Sequence, residues 1–127
     1  MSETRVIPSV TISKMLEIVD FKEEIKFLLM NNEEVELAFS NNAGNDNIWF
    51  TNKRIIIYIT ESGLWGNKGT FMVLPFSKIS SFTAATTGTY KSRDTTIYTN
   101  GIPQVILKLY DKLPVEEILH LLSSKIL

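Results

Sequence analysis

Hydrophobic positions recur along the chain with two different periods. Between residues 13 and 31, apolar side chains are spaced by three or four positions, which predicts an amphipathic helix. Residues 1–12 precede this pattern and are predicted to form a flexible lead-in. The apolar stripe of the predicted helix consists of Met15, Ile18, Phe21, Ile25, Leu28 and Leu29.

The period changes to two after residue 34, which is typical of half-buried strands. Val35, Leu37 and Phe39 begin this alternation, and Asn100-Gly101 further along is a strong signal for a tight hairpin. Pro75 should end a strand or mark a sheet edge. Seven short strands are predicted, at residues 35–39, 48–51, 54–60, 70–74, 78–87, 93–99 and 104–110.

The end of the chain returns to helical spacing. Pro114 suits the first turn of a helix, and Glu116 and Glu117 suit its positive N-terminal end. The element order predicts a mainly β fold: a seven-stranded, partly open antiparallel barrel or pair of orthogonal sheets. A C-terminal helix caps this fold and an N-terminal helix precedes it. The barrel and its cap form one domain over residues 32–127.

Composition supports a single globular domain and excludes several kinds of site. The 127 residues are 44% hydrophobic and 21% charged, and cysteine is absent. Without cysteine there can be no disulfide, no thiolate-bound zinc and no thiol nucleophile. We see no secretory signal and no apolar run of about 20 residues, so we expect a cytoplasmic protein.

Charge is nearly balanced overall but unevenly distributed. The net charge of −1 argues against nucleic acid as a partner. Residues 1–52 carry a net −5, residues 53–93 a net +5 and residues 94–127 a net −1. Folding could mix these segments into an unpolarised surface. Alternatively, an acidic and a basic side could stack head to tail, or the basic side could meet an anionic lipid surface.

Catalytic chemistry finds little support in the sequence. His120 is the single histidine, and its position beside the apolar stripe of the last helix indicates a solvated side chain. One histidine without cysteine cannot build a metal cluster, and no Gly-x-Ser-x-Gly elbow occurs. We therefore expect no catalytic residue, no cofactor and no metal, and an enzyme is the least favoured class.

Several apolar side chains should point away from the barrel interior. Trp49 alternates with Ile48 and Phe50 and therefore faces the opposite way. Such residues could form a contact with another chain. Equally, the N-terminal helix could cover them, since its own apolar face needs a partner. The residues predicted to point outward are Trp49, Ile56, Tyr58 and Ile106.

Two motifs resemble those of bacterial pleckstrin-homology-like domains. Residues 48–56, which contain Phe50-Thr51-Asn52-Lys53-Arg54, are similar to a hairpin of that family. Residues 74–82 are similar to its proline-aromatic-serine-lysine-isoleucine stretch. Glu33-Glu34 matches the acidic residues that precede the family's first strand.

The resemblance implies a seven-stranded barrel closed by a C-terminal helix, which agrees with the periodicity. It also implies a stand-alone domain without catalytic residues that self-assembles, in several members into closed rings, with a pentamer as one expected form. Eukaryotic relatives bind phosphoinositides through bases in the loop between the first two strands. Here that loop, residues 40–47, contains no base, so we expect no phosphoinositide there.

Three hypotheses of function follow. The first is a scaffold that binds itself, or an unknown protein partner, in which Arg54 and Lys78 pair with Glu33, Glu34 or Glu36 of a neighbouring strand or subunit. The second is a module for anionic membranes that uses Lys53, Lys68 and Lys78. The third is a small-molecule carrier with its ligand in the barrel mouth, which we rank last because small barrels are filled by their own side chains.

Overall fold

The computed structural model describes residues 7–15, 25–41, 46–63, 66–86, 92–110 and 113–126. A short 3-10 helix spans Phe76–Lys78 and one α-helix, α1, spans Val115–Ile126. The prediction of a mainly β fold with a C-terminal helix is confirmed. The strands are β1 (Ser9–Ile12), β2 (Lys14–Met15), β3 (Val35–Ser40), β4 (Asn47–Thr51), β5 (Arg54–Gly63), β6 (Gly66–Pro75), β7 (Ser81–Thr86), β8 (Ser92–Thr99) and β9 (Ile102–Tyr110).

The strands form two sheets. One sheet has the order β1-β9-β8-β7 and the other the order β2-β3-β4-β5-β6. Ser13 lies between β1 and β2, and its N–H donates to the carbonyl of Ser40 on β3 at 2.9 Å. The β1–β2 segment therefore runs from the edge of one sheet to the edge of the other and joins them at this corner. In the described residues, the opposite edges, β6 and β7, pair with no further strand.

The N-terminal predictions need correction. Residues 9–12 are not a lead-in, because β1 pairs in parallel with β9 and the Ile106 N–H donates to the Pro8 carbonyl at 2.9 Å. Val10 and Ile12 alternate into the core, and this short period-two signal identifies the strand. The predicted helix over residues 13–31 is wrong at Lys14–Met15, which form β2. Residues 1–6 and 16–24 lie outside the described residues.

The main core fills the space between the two sheets. Inward side chains alternate along each strand, for example Ile55 and Ile57 on β5 and Leu107 and Leu109 on β9. Ile118 of α1 is fully buried against the same cluster, as the predicted apolar stripe requires. This packing leaves the barrel interior filled by side chains.

Two predicted boundaries are confirmed in detail. β6 ends at Pro75, and the β8–β9 hairpin turns at Asn100 and Gly101, whose φ angles of 52° and 76° are those of a type I′ turn. The predicted strand over residues 78–87 starts later, at Ser81, because Phe76–Lys78 form the 3-10 helix. No helix in the described part of the chain has the length and apolar character needed to cross a membrane.

Candidate interaction surface

The five-stranded sheet has a second apolar face, turned away from the main core. This outer face carries Val35, Ala38, Trp49, Ile56, Tyr58, Phe71 and Val73. A segment formed by residues 25–32, here called the covering segment, lies across it. Ile25 is fully buried there, and Leu28 and Leu29 pack beside it. The outer face and the covering segment thus form a second, smaller core.

The covering segment is the end of the predicted amphipathic helix. The N–H groups of Leu28 and Leu29 both bond to the Ile25 carbonyl, at 2.8 and 3.2 Å, which closes a last helical turn. Asn32 follows in the left-handed region with φ 67° and reverses the chain toward β3. The predicted stripe residues Ile25, Leu28 and Leu29 are the ones that face the sheet.

A buried ion pair anchors the covering segment to the β4–β5 hairpin. Arg54 donates from Nε to Glu33 Oε2 at 2.8 Å and from Nη2 to Glu33 Oε1 at 2.9 Å. Arg54 Nη2 also donates to the Leu28 carbonyl, and the Met30 N–H donates to Glu33 Oε1 at 3.0 Å. The Glu33 side chain is fully buried and that of Arg54 is 15% exposed.

Two neighbouring motif residues complete this anchor. Thr51 Oγ1 donates to Glu33 Oε2 at 2.7 Å and accepts the N–H groups of Lys53 and Arg54, each at 3.0 Å. Asn52 accepts the Glu34 N–H at 2.9 Å and donates to the Asn32 carbonyl at 3.1 Å. The motif residues Thr51, Asn52 and Arg54 therefore have a structural task, which is to hold residues 28–34 on the hairpin.

The pKa of Glu33 reflects this environment. Burial raises the pKa, but hydrogen bonds from Arg54, from the Met30 N–H and from Thr51, together with the Arg54 charge, lower it more. The net result is a pKa below the ordinary value. Glu33 is therefore held as a carboxylate, which fits a structural anchor better than an acid–base catalyst.

The predicted outward apolar residues divide into two groups. Trp49 and Ile56 do point away from the main core, but the covering segment buries them to 1% and 0% exposure. Of the two alternatives open for these residues, a contact with another chain or cover by the N-terminal segment, the structure shows cover by the N-terminal segment. Tyr58 is half-buried on the outer face, and Ile106 is half-buried on the far side of the other sheet.

The structure also shows where the three charged residues predicted for an interface, Arg54, Glu34 and Glu36, lie. Arg54 pairs with Glu33 of its own chain. Glu36 pairs with Lys125 of α1 at 3.1 Å, and the Glu34 side chain is exposed. The Arg54–Glu33 and Glu36–Lys125 pairs therefore both form within one chain.

Of the predicted anionic-surface lysines, Lys53 and Lys78 are exposed at one end of the sheet. The Phe76 N–H, in the 3-10 helix of Lys78, donates to the Lys53 carbonyl at 3.0 Å. The Lys68 side chain and loop residues 42–45 lie outside the described residues.

Sequence reasoning missed one exposed aromatic residue. Phe27 is 71% exposed, and its ring meets Phe71 edge-on, with centroids 5.5 Å apart. Phe71 also lies 4.8 Å from the Tyr58 ring and is itself half-buried on the edge strand β6. Phe27 falls outside the predicted apolar stripe. An aromatic residue outside that stripe is the sequence feature that could have identified it. We call Phe27, Tyr58 and Phe71 the aromatic patch.

An open groove of about 500 Å³ lies beside the N-terminus of α1. It is lined by Arg93 and by residues 113–117, including the exposed carboxylates of Glu116 and Glu117. In the part of the chain that the structure describes, no group of three or more histidine, aspartate or glutamate side chains is placed to hold a metal ion.

Comparison with known proteins places the chain in a family. The family model for the bacterial PH domain matches residues 9–126. The uncharacterized protein YjqA of Bacillus subtilis is 36% identical over 69 residues, which cover 54% of this chain and 53% of that protein. The chain thus aligns with about half the length of this curated relative.

Two crystal structures share the fold. A DUF1696 family protein with a pleckstrin-homology domain from Shewanella loihica has a TM-score of 0.77 at 23% identity, covering 89% of this chain and 96% of that one. A pleckstrin homology domain from Shewanella amazonensis has a TM-score of 0.70 at 24% identity, covering 88% and 90%. At these identities the likeness concerns the fold.

Proposed function

The chain belongs to the bacterial PH domain family, and we propose that it is a non-catalytic interaction domain that assembles with copies of itself in the cytoplasm. The observation that carries this proposal is the aromatic patch. Phe27 is 71% exposed and borders the half-buried Phe71 on the edge strand β6. Large exposed aromatic side chains that adjoin an apolar face are typical of protein–protein contacts.

Two further features support an interaction role. The interior of the barrel is filled by its own side chains, which leaves little room for a carried ligand. The buried carboxylate, Glu33, is saturated by an arginine, a hydroxyl and a backbone N–H. Its environment is that of a structural ion pair.

Solution mass tests the proposal directly. We expect light scattering after gel filtration to give a discrete multiple of the 14.4 kDa chain mass. The measurement is repeated at low and high salt, because opposed acidic and basic segments would make the multiple salt-sensitive. A mass of 14.4 kDa at all protein concentrations and both salt levels would contradict self-assembly.

A second candidate function is binding to an anionic membrane surface, and the placing of Lys53 and Lys78 favours it. The two lysines are exposed at the same end of the sheet. Each well-placed base contributes about 1 kcal/mol to binding of an anionic surface. Vesicles of phosphatidylserine and phosphatidylcholine should then sediment with the protein at low salt. Combined replacement of Lys53, Lys68 and Lys78 by alanine should abolish this binding, and vesicles of phosphatidylcholine alone serve as the control.

A further inference from the structure

The β8–β9 hairpin turns through a dipeptide that carries a chemistry of its own. Asn100 is the only asparagine of the sequence that is followed by glycine. Because Gly101 has no Cβ, nothing beside its backbone nitrogen hinders attack of that nitrogen on the Asn100 side-chain amide. Both residues are exposed, so water reaches the turn. The dipeptide is therefore a candidate site of spontaneous deamidation.

Deamidation at this dipeptide needs no reagent other than water. The Gly101 nitrogen loses its proton and bonds to Cγ of Asn100. The bond from Cγ to the side-chain nitrogen breaks, which releases ammonia and closes a succinimide ring. Water then adds to one of the ring carbonyls and opens the ring. Opening at one carbonyl gives aspartate, and opening at the other gives isoaspartate, in which the main chain runs through the side-chain carbon.

The closed turn holds the Gly101 nitrogen away from this reaction. Asn100 and Gly101 have φ angles of 52° and 76°, as in a type I′ turn. In such a turn ψ of the first residue is about 30°, which places the following nitrogen on the opposite side of the Cα–C bond from Cβ. Ring closure needs that nitrogen on the same side as Cβ. The Asn100–Gly101 peptide must therefore rotate before the new bond can form.

Ser80 holds the turn in its closed arrangement. The Ser80 hydroxyl oxygen accepts the Gly101 N–H at 3.1 Å, and this N–H is the group that must lose its proton. The same hydroxyl donates to the Tyr98 carbonyl at 3.2 Å, and the Ser80 N–H donates to that carbonyl at 2.8 Å. Ser80 is thus bonded to the hairpin on both sides of Asn100.

We propose that Asn100 is a site of spontaneous deamidation and that Ser80 keeps it unreactive in the folded chain. The reaction proceeds only from molecules in which the turn has opened. Its rate therefore reports how often the Gly101 N–H leaves the Ser80 hydroxyl. The site lies outside the aromatic patch, and the inference is independent of the proposed function.

The two products of the reaction affect the hairpin differently. Asp-Gly is also a favoured type I′ pair, so aspartate at position 100 keeps the turn. Isoaspartate adds one carbon to the main chain, and the longer turn disturbs the pairing of β8 with β9. Ile97 and Val105 lie opposite each other in that pairing, and both are fully buried in the main core. Isoaspartate at position 100 should therefore destabilise the domain.

Mass spectrometry of the full-length protein measures the reaction. Trypsin cuts after Arg93 and Lys108, and the peptide of residues 94–108 contains Asn100 as its single asparagine. Conversion of the amide to a carboxyl group raises the mass of this peptide. Electron-transfer fragmentation then locates the change and distinguishes isoaspartate from aspartate. The protein is incubated at neutral pH, in buffer and in guanidinium chloride, and samples taken at time zero correct for deamidation during digestion.

Three variants test the role of Ser80. Ser80→Ala removes the acceptor, and Ser80→Thr keeps a hydroxyl at this position. Ser81→Ala is the matched control, because Ser81 is the next residue and is also exposed. In buffer, Ser80→Ala should deamidate about fivefold faster than wild type, the change expected when the closed turn loses one ordinary hydrogen bond. Ser80→Thr and Ser81→Ala should stay near the wild-type rate.

Wild type should also deamidate more slowly in buffer than in guanidinium chloride. Equal rates in the two solutions would overturn protection by the folded turn, and this comparison still decides the matter if circular dichroism shows that Ser80→Ala does not fold. Equal rates for Ser80→Ala and wild type, or equal acceleration in Ser80→Ala and Ser81→Ala, would overturn the role of Ser80. A peptide whose mass is unchanged even after incubation in guanidinium chloride would show that Asn100 is not a deamidation site.

Discussion

The Arg54 guanidinium and the Glu33 carboxylate form a two-point ion pair, with Nε to Oε2 at 2.8 Å and Nη2 to Oε1 at 2.9 Å. The two residues are 21 positions apart, and the Glu33 side chain is fully buried. Their contact joins the covering segment to the β4–β5 hairpin. Losing one partner of a buried pair leaves an uncompensated charge in the interior.

Removal of the arginine should therefore be costly. We expect Arg54→Ala to lower the free energy of unfolding by about 3–5 kcal/mol, because it strands the buried carboxylate of Glu33. Urea unfolding followed by tryptophan fluorescence measures this loss. Arg54→Lys keeps the charge but not the two-point geometry, so its loss should be intermediate.

A neighbouring base provides the control for that measurement. Lys53 is adjacent in sequence and exposed, so Lys53→Ala should change the free energy of unfolding by less than about 0.5 kcal/mol. Equal losses for Arg54→Ala and Lys53→Ala would show that the ion pair is not the source of the stability.

Acid should weaken the same anchor. The pKa of Glu33 in the folded chain lies below its ordinary value of 4.5, so the unfolded chain binds a proton more readily than the folded one. Glu33 therefore contributes its stability fully above pH 4.5. That contribution is lost as pH falls from about 4.5 through the lowered folded pKa.

The variant Glu33→Gln isolates this effect from the other carboxylates. It should be less stable than wild type at neutral pH, and the difference should shrink as pH falls below 4.5 in urea titrations between pH 7 and 3. A difference in stability that stays constant across this range would mean that Glu33 is not the titrating group.

Much of the fold was predictable because its signals are local. Seven strands were predicted from alternation, β-branched runs and turn residues, and they correspond to β3 to β9, while Asn100-Gly101 predicted the hairpin turn, which is of type I′. The β1–β2 segment was not identified as strand. Its four-residue and two-residue strands are too short to outweigh a helical pattern that begins at residue 13.

The candidate surface was less predictable because it depends on long-range contacts. Trp49 and Ile56 were correctly predicted to point away from the main core, Trp49 by its alternation with Ile48 and Phe50. The local pattern could not determine whether a segment some 20 residues earlier covers them. The pairing of Arg54 with Glu33 was one of several charge pairings open to sequence reasoning, and only tertiary structure selects among them. The exposure of Phe27 agrees with its position outside the apolar stripe predicted for residues 13–31.

The exposed aromatic residue of the covering segment should matter for assembly more than for folding. Phe27 is 71% exposed, so Phe27→Ala should change the free energy of unfolding little, within about 0.5 kcal/mol. Trp49 is 1% exposed, and Trp49→Ala should cost about 3–5 kcal/mol. Sedimentation velocity should show that Phe27→Ala assembles only at a higher protein concentration than wild type.

The comparison residue for this prediction is Met30, which is also on the covering segment and 60% exposed. Met30→Ala removes a similar apolar side chain outside the aromatic patch. If Phe27→Ala and Met30→Ala change assembly equally, or neither does, the aromatic patch does not contribute to the contact.

Gly69 of β6 pairs with Thr60 and lies diagonally across from Tyr58 of β5, and the tyrosine ring occupies the position that a Cβ at residue 69 would need. Gly69→Ala should therefore displace the ring and disturb its packing on Phe71, with a loss of about 1–3 kcal/mol in the free energy of unfolding. Tyr58→Ala removes the obstacle, so the double variant should lose less than the sum of the two single losses. A double-mutant cycle by urea unfolding measures this coupling, and strictly additive losses would contradict it. Because Tyr58 and Phe71 belong to the aromatic patch, Gly69→Ala should also weaken assembly measured by light scattering. Gly101→Ala is the control: its positive φ of 76° makes it destabilising, yet no atom lies within 4 Å of the new Cβ, so assembly should be unchanged at temperatures where the variant is folded.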